Sequence, residues 1–351
     1  MRVAIEAASL SLSSGGLARY TSELSLALAR CYPDDEFFLV SDQPFRFPPA
    51  APPNLRRGGG PRNAMERRWW LWGLASEMRR LGADVAHGPD FAVPYVAYRP
   101  SVLTLHDLSP WMDPEWHSAA ARVARRTPVL LHLGLATMIV TPGETVRKEA
   151  IGRFRLPPDR VVAVREAAAP WLAPVESAPA SPSYFLFVGT LEPRKNIGVL
   201  LEAWRELRRV HEVELWLAGR RRADFPEILT EPGLRLLGEV PDADLPALYS
   251  GAVAFVYPSL YEGFGLPVLE AMQCGACVIA SPAVAEAAGD AAVYADSARD
   301  LAAAMAKAAS DPEWLAAQRQ RSLARAREFS WERTAHLTYE VYQEARRRFG
   351  R

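Results

Sequence analysis

Two glutamates with seven residues between them, Glu262 and Glu270, frame the most chemically suggestive stretch of this 351-residue chain, YPSLYEGFGLPVLEAMQCGACVIAS at 257–281. Gly263 and Gly265 let the intervening backbone bend closely around a ligand. Pro267 suits the first turn of a helix. The backbone N–H groups of Phe264, Gly265 and Leu266 then point out of a helix N-terminus, an anion site suited to a diphosphate. Glu262 is expected in the loop and Glu270 in the first turn of that helix. Each can accept hydrogen bonds from sugar hydroxyls, one on either side of the anion. Taken alone, Glu270 reads more plainly as a carboxylate complementing the helix dipole.

A second stretch, FVGTLEPRKNIGVLLEAW at 187–204, leaves an apolar strand and opens a helix. Arg194 and Lys195 fall in that strand–helix loop, where phosphate contacts are expected. Of the 41 basic residues only Lys148, Lys195 and Lys307 are lysines. A GC-rich genome accounts for that bias, and solvation is the ordinary state of loop cations. Their occurrence in the same half of the chain as the glutamate pair favours a phosphate site. Other chemical patterns carry less. Cys274-Gly-Ala-Cys277 lacks the partner pair of a zinc site and the context of a redox site, so both thiols read as core. Asp242-Ala243-Asp244 fits a metal-holding D-x-D, but it precedes LPALYSG and reads more simply as a helix N-cap. No essential metal is expected. No G-x-G-x-x-G follows the first strand and no G-x-x-x-x-G-K-[ST] occurs, which weighs against a dehydrogenase or a P-loop ATPase.

Elements that could hold these loops alternate along the chain. Apolar runs at 2–7, 36–40, 84–88, 101–107 and 137–142 read as strands with helical stretches between them, including 17–30 and 64–82. Residues 44–63, rich in Pro, Gly and Arg, read as a loop. PWLAPVESAPASPS at 170–183 reads as an interdomain linker. Alternation then restarts, with strands at 184–189, 213–219, 234–240, 252–258 and 277–282 and a helix at 197–210. The tail, FSWERTAHLTYEVYQEARRRFG, reads as a helix with Trp331, Leu337, Tyr339 and Tyr342 as packing residues. The expected fold class is α/β, with two Rossmann-like domains facing across a cleft. The domains are expected at 1–170 and 184–330, joined by 171–183, with 331–351 as a C-terminal helix.

Composition bounds the rest. Hydrophobic residues make up 49% and charged residues 23%, as in a soluble globular protein. Lys+Arg and Asp+Glu are each 41, and zero net charge argues against a nucleic-acid-gripping protein. Three cysteines do not make a disulfide framework. MRVAIEAASL lacks the apolar core of a signal peptide, and no apolar run reaches ~18 residues, so a cytoplasmic location is expected. Between Arg56 and Arg80 there are seven arginines against Glu66 and Glu77, with Trp69, Trp70 and Trp72 inside the stretch. A basic, Trp-bearing helix can sit on an anionic membrane surface. The plainer reading puts the tryptophans in a core and the arginines in water.

Residues 257–281 resemble the E-x7-E motif of the retaining nucleotide-sugar glycosyltransferases of family 4, which have the two-Rossmann (GT-B) fold. The resemblance runs through nearly the whole chain. SGGLARYTSELSLALAR (14–30) is similar to the family's N-terminal glycine loop and helix. The segments HGPDFAVP and VLTLHDLSPWMDPEWH (87–117) resemble its acceptor-domain core. FSWERTAHLTYEVYQEA (329–345) resembles the tail that crosses back to the first domain.

The resemblance implies roles. Glu262 contacts the transferred sugar and Glu270 the nucleotide ribose. Lys195, with Arg194, neutralises the departing diphosphate. Phe264, Gly265 and Leu266 give backbone contacts to the donor. Gly15 and Gly16 let the first loop approach the phosphates. His106, in TLHDL, faces the donor sugar. Thr190 stands where many relatives have an arginine, and Arg194 is the nearest substitute. The segment 280–292 is about two residues shorter than usual, within ordinary loop variation, and keeps Glu286 near the base or ribose.

The implied reaction moves a sugar, with retention, from a nucleoside diphosphate to a hydroxyl of a glycan, lipid-linked or small-molecule acceptor. Cationic groups stabilise the leaving group and domain closure excludes water. The family branch that GTLEPRKN (189–196) resembles implies GDP-mannose as donor. Two alternatives share the fold, a nucleotide-sugar 2-epimerase and a non-catalytic sugar-nucleotide-binding protein.

Overall fold

The structure is a computed structural model and describes residues 1–12, 15–116, 120–176 and 182–350. The chain divides into two compact units. One comprises Met1–Met112, Ala119–Glu166 and Ser330–Arg351. The other comprises Asp113–Ser118 and Ala167–Phe329.

The first unit is built on seven strands: β1 (Arg2–Glu6), β2 (Glu36–Val40), β3 (Leu55–Arg57), β4 (Val85–Gly88), β5 (Ser101–Thr104), β6 (Met138–Thr141) and β7 (Val161–Ala163). Its helices are α1 (Gly16–Cys31), α2 (Leu74–Leu81), α3 (Ala121–His132) and α4 (Glu144–Phe154). The strands run parallel in the order β3-β2-β1-β4-β5-β6-β7. Val3, Ala4 and Ile5, like Val102 and Leu103, are buried, as strands covered on both faces by helices must be. Strand order reverses between β1 and β4. In such sheets ligands bind outside the strand C-termini at the reversal.

Two readings are corrected here. Residues 64–82 are not one amphipathic helix, because Trp69–Gly73 forms a π-type turn and α2 starts only at Leu74. Close packing explains it: a Cβ on Gly73 would lie 2.6 Å from the Trp69 ring and 2.2 Å from the Glu66 carbonyl oxygen. The loop 44–63 also contains β3, a short edge strand paired with β2.

The second unit has six strands: β8 (Ser183–Val188), β9 (Val213–Ala218), β10 (Leu234–Gly238), β11 (Phe255–Tyr257), β12 (Val278–Ala280) and β13 (Val293–Tyr294). Its helices are α5 (Ile197–Leu207), α6 (Leu245–Gly251), α7 (Leu266–Gln273), α8 (Ala285–Ala288), α9 (Ala298–Ser310) and α10 (Pro312–Ala326). The sheet is again all parallel, in the order β10-β9-β8-β11-β12-β13, reversing between β8 and β11.

Of the linker expected at 171–183, residues 177–181 lie outside the described residues. Its beginning is held by this unit rather than extended: Gln273 Nε2 donates to the carbonyls of Ala169 (2.8 Å) and Leu172 (2.6 Å), and Val175 N donates to Ser250 Oγ (3.1 Å).

The last helix, α11 (Trp331–Arg348), belongs to the first unit. Ser330 caps it, its Oγ accepting from Arg333 N. The helix packs on α1 and on β4, β5 and β6. Tyr342 is fully buried and its hydroxyl lies 2.7 Å from His87 Nδ1, while Tyr339 stacks on Tyr32 with centroids 3.6 Å apart. Trp331 is also buried and Leu337 is half-buried. No helix among the described residues is long and apolar enough to cross a membrane.

Candidate active site

The chemistry-bearing residues of the second unit meet where its strand order reverses. After β8 the chain makes a short turn, Pro193–Lys195, and Asn196 takes a left-handed conformation (φ 54°) before α5 begins. After β11 it runs through Ser259–Glu262. The two loops are tied by a backbone bond from Leu260 N to Arg194 O, 2.9 Å. This brings Lys195 and Glu262 together across 67 positions of sequence.

Lys195 Nζ donates to Glu262 Oε1 and to the Tyr257 hydroxyl, both at 2.6 Å. Arg194 Nη1 lies 3.3 Å from Glu262 Oε2 and donates to Tyr261 O at 2.8 Å. Its Nη2 donates to Glu192 Oε1 at 2.9 Å. All three charged side chains are largely buried. Burial opposes the charge on Glu262, but Lys195 and Arg194 outweigh it and hold the carboxyl at about 2. Burial likewise pushes the Lys195 ammonium down, with the Glu262 carboxylate opposing that shift. The result is a water-poor pair of cations neutralised by carboxylates from two loops. A diphosphate could take over that neutralisation, leaving Glu262 for hydroxyl groups.

Gly265 is the N-cap of α7 and has φ 104°, a conformation that disfavours any side chain. A Cβ there would also lie 2.9 Å from Val284 Cγ1. Phe264 and Leu266 flank it, both buried. Pro267 falls in the first turn, so Leu266 supplies its leading amide.

Glu270 is not in the first turn as expected. Counting from Leu266 it is the fifth helical residue. It is buried, and its Oε2 accepts from the Tyr249 hydroxyl at 3.1 Å. A dipole-complementing role does not apply so far from the helix end. Glu286 lies in α8, whose carbonyls at Glu286 and Ala287 accept from Arg325.

Glu192, Tyr249 and Arg222 were not singled out from the sequence. Arg222 lies 3.5 Å from Glu192 Oε2 and donates to the Glu115 carbonyl at 2.8 Å and to that of Trp116. Trp116 in turn stacks on Tyr261, with centroids 6.1 Å apart. No local pattern marks these partners, which come from distant parts of the chain.

The other candidates lie in the first unit. Gly15 is the N-cap of α1 with φ 122°, and Gly16 opens the helix. A Cβ on Gly15 would meet nothing within 4 Å. His106 sits two residues beyond β5. Its Nδ1 lies 3.2 Å from Glu166 Oε1 and its Nε2 lies 2.7 Å from the Pro89 carbonyl. A carbonyl and a carboxylate both accept, so the ring is satisfied as the imidazolium. Burial disfavours that charge, but the hydrogen bond and charge of Glu166 outweigh it and the pKa is raised. Tyr20 presents its edge to the ring at 4.6 Å. Glu166 carries no sequence signal.

The remaining patterns are structural. Cys274 and Cys277 are buried and unbridged, and burial pushes both thiols up to about 12. Asp242–Asp244 forms a 3-10 turn before α6, and Asp244, the N-cap, makes no capping bond through its side chain. Among the described residues no group of three or more His, Cys, Asp or Glu could hold a metal ion.

Comparison with known proteins bears on both units. Residues 14–166 match the sequence family described as Glycosyltransferase Family 4, and residues 182–311 match Glycosyl transferases group 1. The chain is 37% identical over 284 residues to O-antigen chain mannosyltransferase B of Escherichia coli, covering 74% of each. It is 35% identical over 174 residues to the serotype-specific mannosyltransferase WbdA of the same organism, covering 45% of this chain but 21% of that longer one. Among solved structures, sucrose-phosphate synthase from Thermosynechococcus elongatus superposes with a TM-score of 0.70 at 19% identity over 98% of each chain. Anabaena Alr3699/HepE in complex with UDP and glucose gives 0.70 at 15% identity, over 97% of this chain and 99% of that one. Matched in both halves by these families, and more than a third identical over most of its length to a curated member, the chain belongs to the family 4 glycosyltransferases of the GT-B fold and transfers a sugar from a nucleotide-sugar donor to an acceptor.

Proposed function

We propose that this enzyme is a retaining, metal-independent mannosyltransferase that uses GDP-mannose and extends a glycan, lipid-linked or small-molecule acceptor in polysaccharide synthesis. The observation that carries the reading is the Lys195–Glu262–Arg194 cluster at the sheet reversal of the second unit. The curated relatives described above, both mannosyltransferases, support the sugar.

In this reading the donor diphosphate lies against Lys195, Arg194 and the first turn of α7. Glu262, displaced from its cations, accepts hydrogen bonds from mannose hydroxyls. Glu270, oriented by Tyr249, accepts from the ribose. The bond from the sugar C1 to the diphosphate oxygen breaks while the acceptor oxygen bonds to C1 on the same face, and the acceptor proton passes to a phosphate oxygen. The negative charge left on the diphosphate is what Lys195 and Arg194 stabilise. His106, held by Glu166, is the residue of the first unit proposed to serve the donor sugar.

The place of action is proposed to be the cytoplasm, peripherally at the inner membrane face. Trp72 and Met65, both exposed in the basic stretch, support contact with anionic lipid, whereas Trp69 is buried. Co-sedimentation with anionic and neutral vesicles at two salt concentrations checks this, and absence of salt-sensitive binding removes it.

Donor choice is tested by incubating the protein with GDP-mannose, GDP-fucose, UDP-glucose and UDP-galactose and following nucleotide release and products. GDP release confined to GDP-mannose is expected. Release of UDP alone overturns the assignment, and appearance of a 2-epimer overturns transfer.

A further inference from the structure

The first unit has its own cavity, of about 520 Å³, at the reversal between β1 and β4. Its lining includes three carboxyl groups, from Glu6 at the end of β1, Asp42 after β2 and Asp90 after β4. It also includes four guanidinium groups, from Arg67 and Arg68 before the tryptophan turn and from Arg122 and Arg126 on α3. Positions 122 and 126 are one helical turn apart and share a face. The rings of Trp70 and Tyr95 also line the cavity, with the Arg126 guanidinium 5.5 Å from the Trp70 ring centroid. The volume falls within the roughly 300–1,000 Å³ of ordinary small-molecule sites.

Two features show that this lining is not arranged for its own stability. The Nε of Arg126 is buried with no hydrogen-bond partner, a state that costs free energy unless something arrives to accept from it. Glu6 is 2% exposed and has no cation among the groups that shift its titration. Burial pushes its carboxyl up to about 8, so near neutral pH it can donate as well as accept. Four guanidinium groups and three carboxyl groups line the cavity, so its lining is net positive whichever form Glu6 takes.

We propose that this cavity binds a phosphorylated saccharide, with the phosphate on Arg122 and Arg126 and the sugar hydroxyls on Asp42, Asp90 and Glu6. Carboxylates in this arrangement accept from hydroxyls, aromatic faces cover the apolar face of a pyranose, and paired guanidiniums bind phosphate with two parallel hydrogen bonds. The inference rests on the glycosyltransferase assignment in one respect: the bound saccharide is the acceptor. The phosphate can come from a soluble sugar phosphate or from the diphosphate of a lipid-linked sugar, and both present the same group to the arginines.

Calorimetric titration of the full chain tests it with glucose 1-phosphate, methyl glucoside, a farnesyl diphosphate glucoside and, separately, GDP. Binding of glucose 1-phosphate is expected to weaken by about tenfold or more in Arg126→Ala and in the exposed-site variant Arg122→Ala, as loss of a charge-assisted contact predicts. GDP binding is expected to be unchanged in both and reduced in Lys195→Ala. Equal affinity for the free and farnesylated probes identifies a soluble phosphosaccharide, and tighter binding of the farnesylated probe identifies a lipid-linked one. The proposal is overturned if glucose 1-phosphate does not bind, if it binds no better than methyl glucoside, or if its binding depends on Lys195 and not on Arg122 and Arg126. Failure of GDP and every nucleotide sugar to bind would instead strike the donor-site reading, leaving the glucose 1-phosphate result to stand separately.

Discussion

Lys195 Nζ lies 2.6 Å from Glu262 Oε1, with the lysine on the loop after β8 and the glutamate on the loop after β11. Neither charge would be tolerated in so buried a place alone. Each therefore holds the other in position at the reversal point of the sheet. A ligand that brings its own negative charge exchanges one neutralising partner for another and does not need an empty cationic pocket.

Replacing Lys195 by Ala is expected to lower sugar transfer by about 10²–10³-fold, the usual consequence of deleting one electrostatic stabiliser of a developing anion. Glu262→Gln keeps the shape but leaves the lysine without its counter-charge, and is expected to lower transfer similarly with circular dichroism unchanged. Steady-state rates with GDP-mannose check both. Wild-type rates in either soluble, folded variant would remove the cluster from the reaction.

The same pair predicts an acid limit to stability. The Glu262 carboxyl is held at about 2 against an ordinary 4.5, so its contribution is fully present above about 4.5 and is lost as pH falls through about 2. Thermal melts from pH 6 down to pH 2 are expected to show a steeper loss for the wild type than for Glu262→Gln. Parallel curves would show that the carboxylate is not coupled to its cations.

His106 carries the opposite sign. Its pKa is raised by Glu166 despite burial, so the stabilisation it gives is complete below the ordinary histidine value of 6.5 and fades as pH rises through the raised one. Nitrogen chemical shifts of the ring followed against pH are expected to show a midpoint above 6.5. Glu166→Gln is expected to bring the midpoint down. An unchanged midpoint in that variant would separate the two residues.

Much of the proposed donor site is legible in the sequence because it rests on short local signals. Arg194 and Lys195 follow an apolar strand, and Gly265 and Pro267 announce a tight turn into a helix. What stays hidden comes from sequence-distant partners or from packing. Glu192, Tyr249 and Arg222 have no motif and acquire meaning only through Arg194, Glu270, Glu115 and Trp116. Glu270 was placed one turn too early because Gly265 takes the cap position and the helix starts directly after it. The strands β3, β7 and β13 have three residues or fewer and show no period, whereas β11 and β12, of three residues each, are marked by the longer apolar runs AVAFVYP and CVIASP around them. The π-type turn at Trp69–Gly73 follows from contacts of one ring and one carbonyl, which no periodicity encodes.

Tyr249 supplies the last test, because its effect separates binding from chemistry. Its hydroxyl donates to Glu270 Oε2 at 3.1 Å, and both residues are buried. The bond orients the carboxylate proposed to accept from the ribose, which makes Tyr249 a positioning residue in this reading. Tyr249→Phe removes the hydroxyl that donates to Glu270 while keeping the ring, which is T-shaped to Phe255 at 5.4 Å between centroids. Loss of a single such bond is worth about 1 kcal/mol, or about fivefold in affinity. The variant is therefore expected to raise KM for the nucleotide sugar and the Kd for GDP by about fivefold and to leave kcat near the wild-type value. A merely structural role would lower melting temperature without moving KM. A fall in kcat at constant KM would place Tyr249 in the chemical step and contradict its assignment as a positioning residue.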